Sequence, residues 1–195
     1  LTTVLREQWG FDGLVVADGI STVLRGLWIG LGADGTTAAP NGGDGIRISN
    51  ASQTEIGGDL PATAVRVANN AGAGVEVQSG RRNALGSETL VYGNGGPGID
   101  LGPQGKVNPK GGLLAGQPND ALGAPVVWHV LQAVGFGGNL AAGIIPNPVP
   151  GGRYRVDLQS NACGPRALAK PVRITSQTIT TSSSGVASFQ LVGPA

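Results

Sequence analysis

Three short stretches in the first half of the chain alternate apolar and polar positions in the same way: Ile46-Arg47-Ile48, Val75-Glu76-Val77 and Ile99-Asp100-Leu101. Period two marks a strand with one buried face, so the aliphatics are predicted inward and Arg47, Glu76 and Asp100 outward. Each stretch closes the same phrase, Asn-x-Gly-x-Gly-aliphatic-x-aliphatic: NGGDGIRI at Asn41–Ile48, NAGAGVEV at Asn70–Val77 and NGGPGIDL at Asn94–Leu101. Gly45, Gly74 and Gly98 are thus 29 and then 24 residues apart. Recurrence on this scale marks a stacked repeat, because one such unit cannot bury its apolar face alone.

A second apolar beat follows eight residues later, at Ile56 after Ile48 and Leu85 after Val77. Leu24 after Val16 carries the beat to the start of the chain, where GFDGLVV (Gly10–Val16) aligns with GGDGIRI (Gly42–Ile48). That alignment sets Leu14 against Ile46 and Val16 against Ile48. Four units result, beginning near Gly10, Gly42, Asn70 and Asn94, each with two or three short strands. The pattern predicts an all-β chain whose residues 1–102 form a right-handed parallel β-helix, a short solenoid with neighbouring strands about 4.8 Å apart. Asn41, Asn70 and Asn94 are expected to stack at one corner, asparagine being tolerant of the left-handed backbone such corners use. Thr2–Trp9 is predicted as a short helix capping the open end.

The repeat dissolves after Leu101. Residues 103–125 are dense in Gly, Pro and Asn and read as a linker. From Val126 five strand-like runs (VVWHVLQAV, NLAAGII, RYRVDLQ, PVRITSQTIT and VASFQLV) predict a small β-sandwich-like module over residues 126–195.

Composition narrows the chemistry. Charged residues make up only 13% of the chain and the formal net charge is +1, with basic residues scattered except Arg81-Arg82. No nucleic-acid footprint follows, and no apolar run of 18 residues predicts a membrane span. One cysteine, Cys163, and one histidine, His129, can build neither an internal disulfide nor a zinc cluster. No metal and no cofactor are expected. The start at Leu1 and the end at Leu-Val-Gly-Pro-Ala read as a piece of a longer protein.

The phrases GADGTTAAPNGGDGIRISNASQTEIGG (Gly32–Gly58) and YGNGGPGIDLG (Tyr92–Gly102) resemble the parallel β-helix, pectin-lyase-like regions of large secreted or cell-surface bacterial proteins. YRVDLQSNAC and TITTSSSGVASFQL are similar to the segment that commonly follows there. The resemblance covers the chain from roughly residue 20 onward. It implies an extracellular or cell-surface location and a non-catalytic role in scaffolding, adhesion or contact with a polysaccharide or surface glycan. The same fold hosts polysaccharide lyases and hydrolases. A second resemblance is local: VLREQWGFDGLVVADG (Val4–Gly19) looks like the segment of family-3 glycoside hydrolases, the β-glucosidases, that ends in the nucleophilic aspartate. It implies Asp18 as nucleophile, although Gly19 stands where that family usually has an aromatic residue.

Weighed singly, Glu76 and Asp100 offer two carboxylates at a spacing suited to a retaining glycosidase, or to a sugar or cation site. The plainer reading is a solvated charge column relieved by Arg47. Trp9, Trp28, Trp128, Tyr92 and Tyr154 could form sugar-stacking platforms, but core packing or capping is the simpler role for each. Asp34 and Asp44 lack the acidic spacing of a calcium loop.

Overall fold

A computed structural model of the chain describes residues 15–17, 22–102, 118–133, 138–146, 149–160, 171–185 and 187–194. Among these the chain is all-β apart from two single turns of 3-10 helix, at Pro61–Thr63 and Pro118–Ala121. The helix expected at Thr2–Trp9 lies outside the described residues. Two compact units are present, one built on the repeats and one on the strands after residue 120.

The first unit contains β1 (Val15–Ala17), β2 (Val23–Leu24), β3 (Trp28–Ile29), β4 (Ile46–Ile48), β5 (Glu55–Ile56), β6 (Val65–Ala68), β7 (Val75–Val77), β8 (Ala84–Leu85), β9 (Thr89–Tyr92) and β10 (Ile99–Leu101). They form three parallel sheets, in the orders β1-β4-β7-β10, β2-β5-β8 and β3-β6-β9. Every strand therefore pairs with its counterpart in a neighbouring repeat. Leu24, Ile56 and Leu85, the second beat, stand in register.

The first unit departs from the aligned phrase by one residue. Val15 pairs with Ile46, Val16 with Arg47 and Ala17 with Ile48, instead of Leu14 with Ile46 and Val16 with Ile48. The physical reason is that Leu14-Val15-Val16-Ala17 is apolar throughout. Such a run has no alternation to say which face is buried, and a slip of one residue exchanges the faces.

Aliphatic side chains from all three sheets are buried. Ile46, Ile48, Val75 and Val77 come from the first sheet, Ile56 from the second, and Ile29, Val65 and Val67 from the third. Ile99 is exposed at 41%, because β10 is the edge strand of its sheet and no described strand stacks on it, and Val23 on the edge strand β2 is exposed too.

In the second unit, β11 (Val126–Ala133), β12 (Gly138–Ile145), β13 (Arg153–Ser160), β14 (Val172–Thr180) and β15 (Ala187–Pro194) coincide with the five runs read from the sequence. β11-β12-β15 form one antiparallel sheet and β13-β14 another. Along β15, Ala187, Phe189 and Leu191 are buried while Ser188, Gln190 and Val192 are exposed. Those buried residues, with Ala141 and Ile145, pack against Tyr154, Val156, Leu158 and Ile179. Gly143, opposite Phe189, has no room for a side chain: a Cβ there would lie 2.7 Å from the ring.

The repeated glycine serves close approach rather than a left-handed turn. A Cβ on Gly45 would meet Val67, and would lie 2.7 Å from Asn70 Nδ2 and 2.8 Å from the Gly74 carbonyl. One on Gly74 would meet Val91, and would lie 2.7 Å from the Gly98 carbonyl and 2.8 Å from Asn94 Nδ2. At Gly98 the nearest atom of the described residues is 3.8 Å away. Gly45 and Gly74 are thus demanded both by a valine of their own repeat and by the phrase that follows. Gly74→Ala should destabilise the protein by about 1–3 kcal/mol through overpacking. Gly98→Ala should be neutral or stabilising by less than about 1 kcal/mol, since it only restricts the unfolded chain. Urea unfolding of the two variants side by side tests this, and equal losses would contradict it.

Candidate functional site

Polar side chains concentrate at two corners and along one face of the first unit. At the first corner, Asn41 and Asn70 each donate both the backbone N–H and Nδ2 to the Oδ1 of the next asparagine. The distances are 3.3 and 2.8 Å from Asn41 to Asn70, and 3.0 and 2.8 Å from Asn70 to Asn94. Asn94 Nδ2 closes the ladder on the Val67 carbonyl at 3.1 Å. The left-handed backbone falls not on these three but on the residues preceding two of them, Asn69 (φ 61°) and Gly93 (φ 63°). That corrects the reason expected for asparagine here: its amide, both donor and acceptor, is what the corner uses.

The second corner was not foreseen. Thr54 N–H donates to Asn83 Oδ1 at 3.0 Å, and Asn83 N–H donates to Asn119 Oδ1 at 3.0 Å. Asn119 returns bonds from Nδ2 to the Asn83 carbonyl and from its N–H to the Gly80 carbonyl, at 2.9 and 2.8 Å. A residue inside the stretch read as a linker is therefore a rung of the repeat. Its interval of 36 residues and the loss of aliphatic alternation around it hid the match.

Arg47, Glu76 and Asp100 do stand in register on β4, β7 and β10. They do not form a solvated surface column: Glu76 is 0% and Asp100 2% exposed. Arg47 lies against Glu76, with Nε 2.6 Å from Oε2, and Gln78 Nε2 donates to the same oxygen at 3.2 Å. Asp44, from the glycine phrase before β4, completes the cluster. It accepts from Arg47 Nη2 at 2.7 Å through Oδ2, and from the Ala73 N–H at 2.7 Å through Oδ1. The sequence reading weighed Asp44 only as a calcium ligand and did not pair it with Arg47, because the other repeats place Ala73 and Pro97 at its position. The available signal was its placement three residues before Arg47.

Burial opposes ionisation of both acids, yet their net shifts are opposite. Desolvation pushes Glu76 upward, and its bond to Asp44 adds to that, outweighing Arg47. Desolvation also opposes ionisation of Asp44, but bonds from Arg47, the Ala73 N–H and Glu76 hold it below the ordinary aspartate value. Among the described residues no group of three or more His, Cys, Asp and Glu is arranged to hold a metal ion.

The remaining candidates are scattered. Asp18, Trp9 and Cys163 lie outside the described residues, and His129 sits on β11 opposite Ala142. The Trp28 ring is flanked by Arg66, at 5.4 Å from its centroid, and by Gly35, which limits it as a sugar platform. Tyr92 is buried, while the Tyr154 hydroxyl accepts from the Val149 N–H at 2.7 Å. Trp128 is 56% exposed where β11 shifts register. Asp34 accepts from the N–H groups of Thr36 and Thr37 and from the Thr37 hydroxyl, which holds it at about 2. A cleft of about 380 Å³ beside the first ladder is lined by Ala38, Pro40, Asn69, Gly93 and Gly95, none of them ionisable.

Two substitutions measure how far these contacts hold the repeats together. Asn70→Ala strands both donors of Asn41 and should cost about 2–3 kcal/mol. Arg47→Met leaves Asp44 and Glu76 buried without their counter-charge. Removing one member of a buried pair costs about 3–5 kcal/mol, and partial exposure of the Arg47 side chain (27%) lowers the expectation to about 2–3 kcal/mol. Chemical denaturation monitored by circular dichroism reads both. Comparison of the chain with models of known protein families gives no match, and comparison with curated proteins gives none either.

Proposed function

We propose that the chain is a non-catalytic scaffold module of an extracellular or cell-surface protein, built from a short right-handed parallel β-helix followed by a small β-sandwich-like module. The helix reading is supported by three parallel sheets that all pair one repeat with the next, since a chain returning to the same sheet after each repeat must wind. The right-handed sense follows the strong preference of parallel crossover connections. The sandwich-like reading is supported by the apolar core shared by the two antiparallel sheets. The extracellular placement rests on the resemblance of Gly32–Gly58 and Tyr92–Gly102 to secreted β-helix proteins.

The observation that carries the scaffold role is where the polar side chains point. The ladder asparagines bond to the following repeat, and Asp44 and Arg47 bond across to Ala73 and Glu76. Such groups hold repeats together, and the scaffold they stabilise would contact a polysaccharide or surface glycan through its exposed residues. The polysaccharide-active alternative has one favourable feature, a carboxyl pushed up (Glu76) beside one held down (Asp44). Against it, Glu76 Oε2 and both Asp44 oxygens are already engaged by Arg47, Gln78 and Ala73.

Assays with aryl β-glucosides and with polygalacturonate should give no turnover. Hydrolysis of the glucoside that disappears in Asp18→Asn, or lyase product that disappears in Glu76→Gln, would replace the scaffold with an enzyme.

A further inference from the structure

Two carboxyl groups from successive repeats, Asp44 and Glu76, converge on one guanidinium: Arg47 donates from Nη2 to Asp44 Oδ2 at 2.7 Å and from Nε to Glu76 Oε2 at 2.6 Å. Two carboxylates have only acceptors, so neither can stabilise the other unless one carries a proton. Both residues are buried, at 1% and 0% exposure. Glu76 Oε1 receives no hydrogen bond from any donor. A fully ionised Glu76 would leave that oxygen desolvated and unpaired, whereas a protonated Glu76 can donate to Asp44.

The neighbours on every packed element agree with that state. From β4 comes Arg47, and from the turn before it Asp44. β7 contributes Gln78 beside Glu76, and β10 places Asp100 in register next to Glu76 on the side away from Arg47. β1 places uncharged Val16 beyond Arg47. Among the described residues one guanidinium thus faces the two acids Asp44 and Glu76 at the seam between the second and third repeats. A single cation balances one carboxylate of the pair, and the second is accommodated most easily as the neutral acid.

We propose that Asp44, Arg47 and Glu76 form a proton-dependent latch between the second and third repeats, closed while Glu76 carries a proton and loosened when that proton leaves. The linkage is fixed in sign. Glu76 binds its proton more tightly in the folded protein, so its contribution is fully present below the ordinary glutamate value of 4.5 and is lost as pH rises through its folded value. Asp44 acts in the opposite direction. Its contribution is present above the ordinary aspartate value of 3.8 and lost as pH falls through its lower folded value. The seam is therefore tightest in mildly acidic solution and weakens towards alkaline pH.

Urea unfolding of the full chain between pH 4 and 9 tests the latch, with wild type compared to Glu76→Gln. In wild type the unfolding constant should rise by up to about tenfold per pH unit where Glu76 titrates. Glu76→Gln should remove that rise, because the amide donates to Asp44 with no proton to lose. Parallel pH profiles for the two proteins would overturn the proposal. Carbon-13 titration of the Glu76 carboxyl in wild type gives a second reading that needs no folded variant. A midpoint above the ordinary glutamate value supports the latch, and one at or below that value overturns it.

Discussion

Parallel in-register pairing places each residue of a repeat directly beside its counterpart in the next, at the spacing of hydrogen-bonded strands, about 4.8 Å. Like therefore meets like, and each position must tolerate being its own neighbour. Aliphatic residues satisfy this at once, as Ile46 beside Val75 and Ile56 beside Leu85 illustrate. Asparagine satisfies it through an amide that donates on one side and accepts on the other, so Asn41, Asn70 and Asn94 form a chain of bonds. Glycine satisfies it by leaving room for the next backbone.

A carboxylate does not satisfy it. Glu76 beside Asp100 would be two acceptors in one low-dielectric site, and Asp44 makes a third. Arg47 supplies one positive charge to Asp44 and Glu76, and in the proposed latch a proton on Glu76 removes one negative charge. The same constraint that makes the apolar column self-complementary makes the charged column sensitive to protonation. Stability and pH response thus arise from one geometry rather than from separate devices.

Because the constraint acts on backbone register, the sequence records it unevenly. The glycine phrase and the beat eight residues later were legible, since alternation and close approach leave little choice of residue. The register of β1 was not, because Leu14 through Ala17 offers no polar position to set the phase. Burial of Glu76 was hidden too: period two separates the faces of a strand but cannot say whether the outer face is wet. Asp44 and Asn119 were missed for a related reason. Asp44 makes its contact from a loop and Asn119 from a single 3-10 turn, where the repeat fixes the position of a bond without fixing the residues around it. In the second unit the alternation of β15 and of Tyr154, Val156 and Leu158 was readable, whereas the shift in β11 at Trp128 has no polar marker.

The unequal intervals point to what the architecture conserves. Successive rungs are 29 and 24 residues apart at the first corner, and 29 and 36 at the second. Corner bonds keep their pattern while the interval changes by five residues (29 to 24) at the first corner and seven (29 to 36) at the second. A change of length must then fall in the segments between strands, where longer loops cost little closure entropy. Register at the corners, rather than a fixed period, is what the fold holds constant. A rung is also only as constrained as its successor: Gly74, with Gly98 behind it, has no space for a methyl group, and Gly98 has ample space. Asn119 fits the same logic. It supplies the second corner with a successor although no strand of the usual spacing accompanies it, so the rung can outlast the alternation by which the repeat is recognised.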